Sequence, residues 1–366
     1  MRFLGVDIHY DSFVVATMDE AGEFTLAKIK LDDKITYRKF KSGLTKEDYI
    51  AIEASTNSFW FYDEVQPLVN ECYVINPGKF KDIGGANKKT DKVDAKKIAK
   101  KLRYKIMHGA DEDEFPTVFV PCKEIREIRS LFTTYELYGK NKVMTKNRIY
   151  SLFIQTTGRD ISKDVDLFSK SIREGLLNII KSEIIRASVK TLYDSLDFIE
   201  KQMGDIKEQI LKAGVIFKNE IDKLVDIKGI SVFIAIGIMV DIADIKRFDN
   251  SKKLTSYLGS APTIDASNKS EKIGSVNKHS RKLALKLVLQ GLRHVCNTEG
   301  YLKDCYQRMR KGKKAGKVRI AIARKLFAGI YQILTKGTRY YWFDEIGHAN
   351  KMKGYEKFLE KMKKSA

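Results

Sequence analysis

The chain has 366 residues, 68 of them Lys or Arg against 47 Asp or Glu, for a formal net charge of +21. An excess of that size is the electrostatic footprint of a protein that meets a polyanion, and nucleic acid is the first candidate. A membrane surface is the competitor, but no run of about 18 apolar residues appears and the N-terminus enters a strand-like run directly, so neither a membrane span nor a signal peptide is expected and a cytoplasmic location is. Four cysteines, Cys72, Cys122, Cys296 and Cys305, lack Cys-x-x-Cys spacing and have only five histidines beside them. That excludes a zinc site and a disulfide framework, and leaves them as reduced structural residues.

In chain order, Phe3-Leu4-Gly5-Val6-Asp7-Ile8 is a short apolar run that carries one acid. Asp11 to Met18 reads as its hairpin partner and Phe24 to Leu31 as a third strand. An acid inside such a run is costly unless it is paired or metal-bound. Tyr49-Ile50-Ala51-Ile52-Glu53-Ala54 repeats the arrangement and delivers Glu53 just before the turn-forming Ser55-Thr56-Asn57. Cys72 to Ile75 gives another strand, closed by Asn76-Pro77-Gly78. From Asp91 the pattern is helical, with Val93, Ile98 and Leu102 on one stripe, and the i,i+3 spacing puts Asp91 and Asp94 on one face. Two strand acids followed by two helix acids can hold a pair of magnesium ions roughly 3.5 to 4 Å apart for in-line phosphoryl transfer. Taken alone, Asp91 and Asp94 fit a solvated helix face better than a metal site, and it is the order of strand acid, strand acid and helix acid pair that raises all four together.

Past Pro121 the character changes. Cys122 to Gly158 is helical and basic, with Lys140, Lys142, Lys146 and Arg148 among Ile149, Leu152 and Phe153, a helix suited to lie along a phosphate backbone. Ile185, Val189, Leu192, Leu196, Ile199, Met203, Ile206 and Ile210 alternate spacings of four and three, the seam of a coiled coil whose partner is either the preceding helix or a second subunit. Leu224 to Ala235 has the outline of a helix-hairpin-helix turning at Gly229, with an ordinary turn between packed helices as the alternative. Leu254 to Pro262 leads into a polar stretch read as a loop, in which Ser267, Ser270 and Ser275 are candidate nucleophiles; spacing alone favours a plain loop serine for each. Lys278 to Leu292 resumes as a helix.

Two basic clusters stand out. Lys88, Lys89, Lys92, Lys96, Lys97, Lys100, Lys101 and Arg103 crowd the Asp91 helix, and Arg308, Arg310, Lys311, Lys313, Lys314, Lys317 and Arg319 form the second, with Tyr301 and Tyr306 nearby for stacking. Each reads as a grip on nucleic-acid backbone, with a solubilising charged face as the bland alternative.

Gly5-Val6-Asp7, Glu53-Ala54-Ser55, Thr90-Asp91-Lys92-Val93-Asp94-Ala95, Lys228-Gly229-Ile230, Tyr257-Leu258-Gly259 with Pro262, and Gly274 before Asn277-Lys278 together resemble the insertion-sequence transposases of the 110/1111 group. The match covers nearly the whole chain in the right order. The resemblance implies an α/β plus α fold. A RuvC/RNase H-like DEDD catalytic domain spans 1–120 and a basic helix with coiled-coil helices spans 121–213. A small, mainly helical C-terminal transposase domain spans 214–345 and a basic tail 346–366. It further implies a DNA recombinase guided by a structured non-coding bridge RNA that pairs with target and donor DNA, working as a homo-oligomer, a dimer or tetramer, in a prokaryotic cytoplasm close to the nucleoid.

Carried over by position, the acidic tetrad is Asp7, Glu53, Asp91 and Asp94, holding Mg2+, and alignment on Tyr257, Gly259, Pro262 and Gly274 puts the catalytic serine at Ser267. The chain departs from the pattern at Asn268, where glycine commonly follows the serine, and at Ser275, where a second glycine is common, so Ser270 competes for the role. The implied chemistry divides labour between metal-holding acids and a serine that attacks phosphorus. Acids and serine are far apart in sequence, which suggests a site completed between subunits. Two other classes fit the residues: a metal-dependent Holliday-junction-type endonuclease using the tetrad without the serine, and a non-catalytic nucleic-acid scaffold.

Overall fold

The computed structural model describes residues 1–80, 90–111, 113–267, 270–276, 280–298 and 300–364, with the backbone alone for 263–276. Two compact units divide it, Met1–Pro121 and Cys122–Ala366.

The first unit is built on a five-stranded sheet. Strands β1 (Arg2–Ile8), β2 (Ser12–Met18) and β3 (Phe24–Lys30) form an antiparallel meander, and β4 (Asp48–Glu53) and β5 (Glu71–Ile75) lie parallel to β1, in the order β3-β2-β1-β4-β5. Helix α1 (Lys34–Ser42) precedes β4, α2 (Ser58–Val65) follows it, and α3 (Asp91–His108) comes after β5. Side chains alternate along a strand, and β1 has both faces covered, which explains its near-continuous apolar run. Leu4, Val6 and Ile8 join Phe13, Phe61 and Val65 in one core, whereas Phe3 lies in a second core with Ala95, Ile98, Ala99 and Leu102 of α3. The β1–β4 register is anchored at its start: Arg2 donates to both carboxylate oxygens of fully buried Asp48, at 2.7 and 2.6 Å, and Asp48 also accepts from the Thr45 amide. A bidentate, charge-assisted pair of this kind fixes geometry as well as energy.

Among the described residues the second unit is helical apart from one hairpin. Its helices are α4 (Lys123–Thr157), α5 (Arg173–Ile179), α6 (Glu183–Ala213), α7 (Lys218–Leu224), α8 (Val232–Ile242), α9 (Ser251–Tyr257), α10 (Leu283–Asn297), α11 (Tyr301–Arg310), α12 (Ala315–Lys336) and α13 (Glu345–Lys364). The seam on α6 packs on α4. Val189 and Leu196 share a core with Ile149, Leu152 and Phe153, while Ile206 and Ile210 share another with Ile125, Ile128 and Phe132, so the two helices run antiparallel. Lys142 pairs with Glu200 at 2.8 Å between those ends. Of the two partners the spacing left open, the preceding helix occupies the seam. Ile185, Leu192 and Met203 are only half-buried in it.

Helix α8, apolar all round, is buried along almost its whole length, as a helix at the centre of a bundle must be. The basic C-terminal residues fold as α13, which docks through Met352 and Tyr355, the latter donating to the Leu211 carbonyl at 2.8 Å.

The polar stretch after Pro262 is not a loop. Residues Pro262–Ser267 (β6) and Ser270–Val276 (β7) pair as a two-stranded antiparallel sheet, with Ser267 opposite Ser270. Its apolar positions are few (Ile264, Ala266, Ile273 and Val276) and its connecting Asn268-Lys269 lacks the glycine of a common hairpin turn, so the period-2 signal was too thin to read.

Candidate active site

Strand parity starts the site. Phe3, Gly5 and Asp7 share one face of β1, and Phe3 shows that this face meets α3. Across the parallel ladder Val6 is level with Ile52, so Asp7 and Glu53 stand at the same height, at the carboxyl ends of neighbouring strands. By the same alternation Glu53 shares the face of Ala51, which also packs on α3.

Gly5 then sets how closely the helix can approach. A Cβ built there would lie 2.1 Å from the Ala95 carbonyl oxygen and 2.4 Å from the Ala99 amide, so α3 is in backbone contact with β1 and any side chain would push it off. One turn before Ala95 the helix begins, at Asp91. The glycine thereby brings a helix N-terminus over the end of β1, and the dipole there favours carboxylates.

The result is a cluster. One ligand atom each from Asp7, His9 and Asp91 lie within 4.8 Å of one another. His9 Nε2 is 3.5 Å from Asp7 and 3.4 Å from Asp91, longer than a good hydrogen bond, and places the imidazole between the two carboxylates. Asp7 is mostly buried, and Asp91 and His9 are each about half exposed. Two carboxylates with one imidazole edge, open to solvent on one side, fit a hard divalent cation that keeps positions for water or a phosphate oxygen.

Glu53 and Asp94 are not in the 4.8 Å group among the described residues. Glu53 ends the adjacent strand and Asp94 lies one turn along α3, half-buried. His9 is the participant that sequence reasoning missed. Its signal was its position, two residues after Asp7 where the strand gives way to the turn; that turn is held by His9 donating to the Ser12 carbonyl and accepting from the Asn57 amide group.

The serines belong to the second unit. Ser267 is the last residue of β6 and Ser270 the first of β7, directly across the ladder; their side chains lie outside the described residues, as do Asn268 and Lys269. Contacts of Tyr257, Gly259, Ser280 and Arg281 tie the base of this hairpin together. The Arg281 amide donates to the Tyr257 carbonyl at 3.0 Å, and Gly259, with φ of +70°, sits where a Cβ would be 2.4 Å from the Ser280 hydroxyl. Buried Asp241 accepts from the Ala284 amide at 2.9 Å, at the start of α10, and burial holds its carboxyl above the usual carboxylate range.

The Gly229 turn has a packing reason for its glycine. It has φ of +93°, and a Cβ there would be 2.5 Å from the Gly291 carbonyl, while Ser231 caps α8 by accepting from the Ile234 amide.

Each unit carries one of the two basic clusters. On α3, Lys96 and Lys100 lie over the Phe24 ring and Lys101 over Phe80; Lys88 and Lys89 lie outside the described residues. The seven cations from Arg308 to Arg319 are all exposed, with no ion pair among the described residues, and Tyr301 beside them accepts from Lys325 at 2.7 Å. No helix of the described residues is long and apolar enough to cross a membrane.

Two family models match this chain. One, described as "Transposase" of the DEDD IS110 kind, covers residues 4–157, and the other, described as "Transposase IS116/IS110/IS902 family", covers residues 221–307. The first takes in the whole acidic site and α4, the second the α7 to α11 region with its hairpin. The chain belongs to the IS110 group of transposases. A curated relative, the transposase for insertion sequence element IS1111A of Coxiella burnetii (strain RSA 493 / Nine Mile phase I), is 22% identical over 354 residues, covering 93% of this chain and 91% of the relative. As a transposase the protein is an enzyme that cleaves and recombines DNA. The DEDD match also suggests a divalent metal, for which Asp7, His9 and Asp91 form an acidic cluster.

Proposed function

We propose that the chain is a bridge-RNA-guided DNA recombinase of RuvC-like fold in its first unit, with Asp7, Glu53, Asp91 and Asp94 as its metal-holding acids and Ser267 as its nucleophile. The observation that carries this reading is the convergence of Asp7 and Asp91 within 4.8 Å, from a strand end and a helix start, held by the Gly5 contact. The sheet order β3-β2-β1-β4-β5 and the position of Glu53 level with Asp7 support it.

Held by these carboxylates, Mg2+ supplies Lewis-acid stabilisation of charge on phosphoryl oxygens and lowers the pKa of an oxygen nucleophile. His9 lies between the two carboxylates, 3.5 Å from Asp7 and 3.4 Å from Asp91. The Ser267 oxygen forms a bond to phosphorus as the bond from phosphorus to one deoxyribose oxygen breaks, and the serine ester conserves the phosphodiester's energy for strand rejoining. The exposed Arg308 to Arg319 patch and the lysines of α3 hold backbone phosphates without reading sequence, which leaves target choice to the guide RNA. Target and donor DNA and the RNA are the partners, and a dimer or tetramer is the acting form.

The test is a trapped adduct. With a nicked DNA substrate and magnesium, denaturing electrophoresis and peptide mapping should find DNA on Ser267. Ser267→Ala should bind nucleic acid and form no adduct, and Ser270→Ala should be close to neutral. An adduct at Ser270 moves the nucleophile across the ladder; cleavage with no adduct at any serine overturns the serine mechanism in favour of a Holliday-junction-type endonuclease.

A further inference from the structure

Three arginines gather at the base of the hairpin that bears Ser267. Arg129 of α4 donates through Nε to the Val240 carbonyl at 2.9 Å and through Nη2 to the Asp241 carbonyl at 3.4 Å. Arg247 donates through Nε to the next carbonyl, that of Ile242, at 3.0 Å, and its guanidinium lies 4.2 Å from the ring centroids of both Phe248 and Tyr257. Arg281 enters from the other side of the base, its amide bonded to the Tyr257 carbonyl, and its charge acts on both Arg129 and Asp241.

Capping the last carbonyls of α8 gives a structural reason for one of these cations. It does not account for three. Asp241, fully buried, is the acid that acts on Arg129, and Glu136, which acts on Asp241, is itself bonded to Lys286 at 2.7 Å. Burial and the neighbouring Arg281 charge bring the Arg129 guanidinium down to about 10, the direction expected of a cation short of a counter-ion. The backbone beside the group is strained as well. Ala243, the one non-glycine residue of positive φ among the described residues, has φ of 60° and ψ of −67°, and across it the Asp244 amide donates to the Ile242 carbonyl at 2.8 Å. This is a γ-turn of the rare, costly hand, and it shares its acceptor with Arg247.

Two groups remain to meet a ligand. Arg281 is exposed and makes no ion pair among the described residues, and Arg129 Nη1 has no hydrogen-bond partner among them. Planar donor forks held side by side suit a tetrahedral oxyanion. DNA presents one at every linkage, and this group stands where the two strands of the hairpin begin and end.

We propose that Arg129 and Arg281, with Arg247 as a fixed neighbouring charge, hold a backbone phosphate of the DNA strand beside the linkage that the hairpin serine attacks. The location of that phosphate rests on the serine reading above. The anion site itself does not.

Two measurements on the full chain test this. In the first, thermal unfolding is followed in sodium phosphate and in sodium chloride of equal ionic strength. Phosphate should raise the Tm of the parent, because an anion held by the folded chain stabilises it. Arg281→Ala, a change at an exposed side chain that the fold tolerates, should lose most of that gain. Arg281→Lys should keep part of it, and Lys252→Ala, which removes an exposed cation of α9, should keep all of it. No gain in the parent, or an equal gain in Arg281→Ala, overturns the anion site.

In the second, each phosphate of the nicked DNA substrate is replaced in turn by an uncharged methylphosphonate, and adduct yield is measured with magnesium. One linkage next to the joined nucleotide should stand out, its replacement lowering the yield roughly tenfold in the parent and scarcely at all in Arg281→Ala, which should already be down by a like factor on the unmodified strand. An adduct that forms with no linkage dependent on Arg281, or with dependence only at a remote linkage, overturns the proposal and spares the serine. Cleavage without any adduct overturns the serine reading, and the same scan of cleavage yield then decides the arginines: dependence at one linkage beside the cut supports them, and none overturns them.

Discussion

The two segments proposed to do chemistry are held in opposite ways. Asp7 and Asp91 stand on a strand buried on both faces and on a helix in backbone contact with it, so their separation is set by the packing of the first unit's core. Ser267 stands on a two-stranded ribbon with a single ladder, anchored at its base by Tyr257, Gly259 and Ser280 to Ala284. Isolated two-strand ribbons are marginally stable, so the contacts at that base contribute to the order of the hairpin. The contrast suggests a fixed metal-holding platform and a nucleophile whose position depends on a few local contacts.

The largest expected effect tests the platform. Asp91→Asn, which keeps shape and removes charge, should lower strand cleavage by roughly 10²- to 10³-fold or more while sparing nucleic-acid binding, measured on a labelled substrate with magnesium. Full activity in this variant would remove Asp91 from the site.

Next comes the contact that sets the platform. Gly5→Ala should cost about 1–3 kcal/mol, because the new methyl meets backbone atoms that cannot turn aside, and should reduce cleavage by displacing the start of α3. Urea unfolding followed alongside activity separates the two losses. A variant as stable as the parent would mean that α3 does not rely on the glycine.

On the other side of the comparison, Gly259→Ala should cost about 1 kcal/mol from its positive φ, together with the clash at Ser280. Adduct formation should fall several-fold more than the stability change accounts for, since the hairpin's base is what moves. If adduct yield follows stability alone, the ribbon is positioned from elsewhere.

The smallest effect concerns Asp241 beneath the same base. Burial raises its pKa, so the folded chain holds this proton more tightly than the unfolded chain, and the stability linked to it is greatest at acid pH and is lost as pH rises through the folded pKa. Asp241→Asn keeps an acceptor for the Ala284 amide and should flatten that slope, seen as a smaller decline in Tm as pH rises above the ordinary carboxylate range. An unchanged slope would place the titration in another group.

Much of the first unit could be read directly from the chain. Phe3 to Ile8, Tyr49 to Ala54 and Cys72 to Ile75 announce strands because a sheet covered on both faces demands near-continuous apolar runs, and an acid at the end of two such runs needs a reason. The seam on α6 was equally plain, since a period of 3.5 survives any context. Which surface fills that seam was not, because apolar stripes carry no address; Ile149, Phe153 and Phe132 of α4 decide it.

His9 escaped notice because a lone histidine in a turn has no pattern of its own; it matters through the approach of a helix more than eighty residues away. The hairpin bearing Ser267 was missed for the opposite reason, its period-2 alternation being too poor in apolar residues to register. The sequence by itself determined the strands of the first unit and the long helices and nominated the acids, because periodicity and costly buried charge are local properties. Only the tertiary structure decided that Asp7, His9 and Asp91 meet, because the Gly5 contact that joins them is a fit between two backbones and leaves no trace in either segment alone.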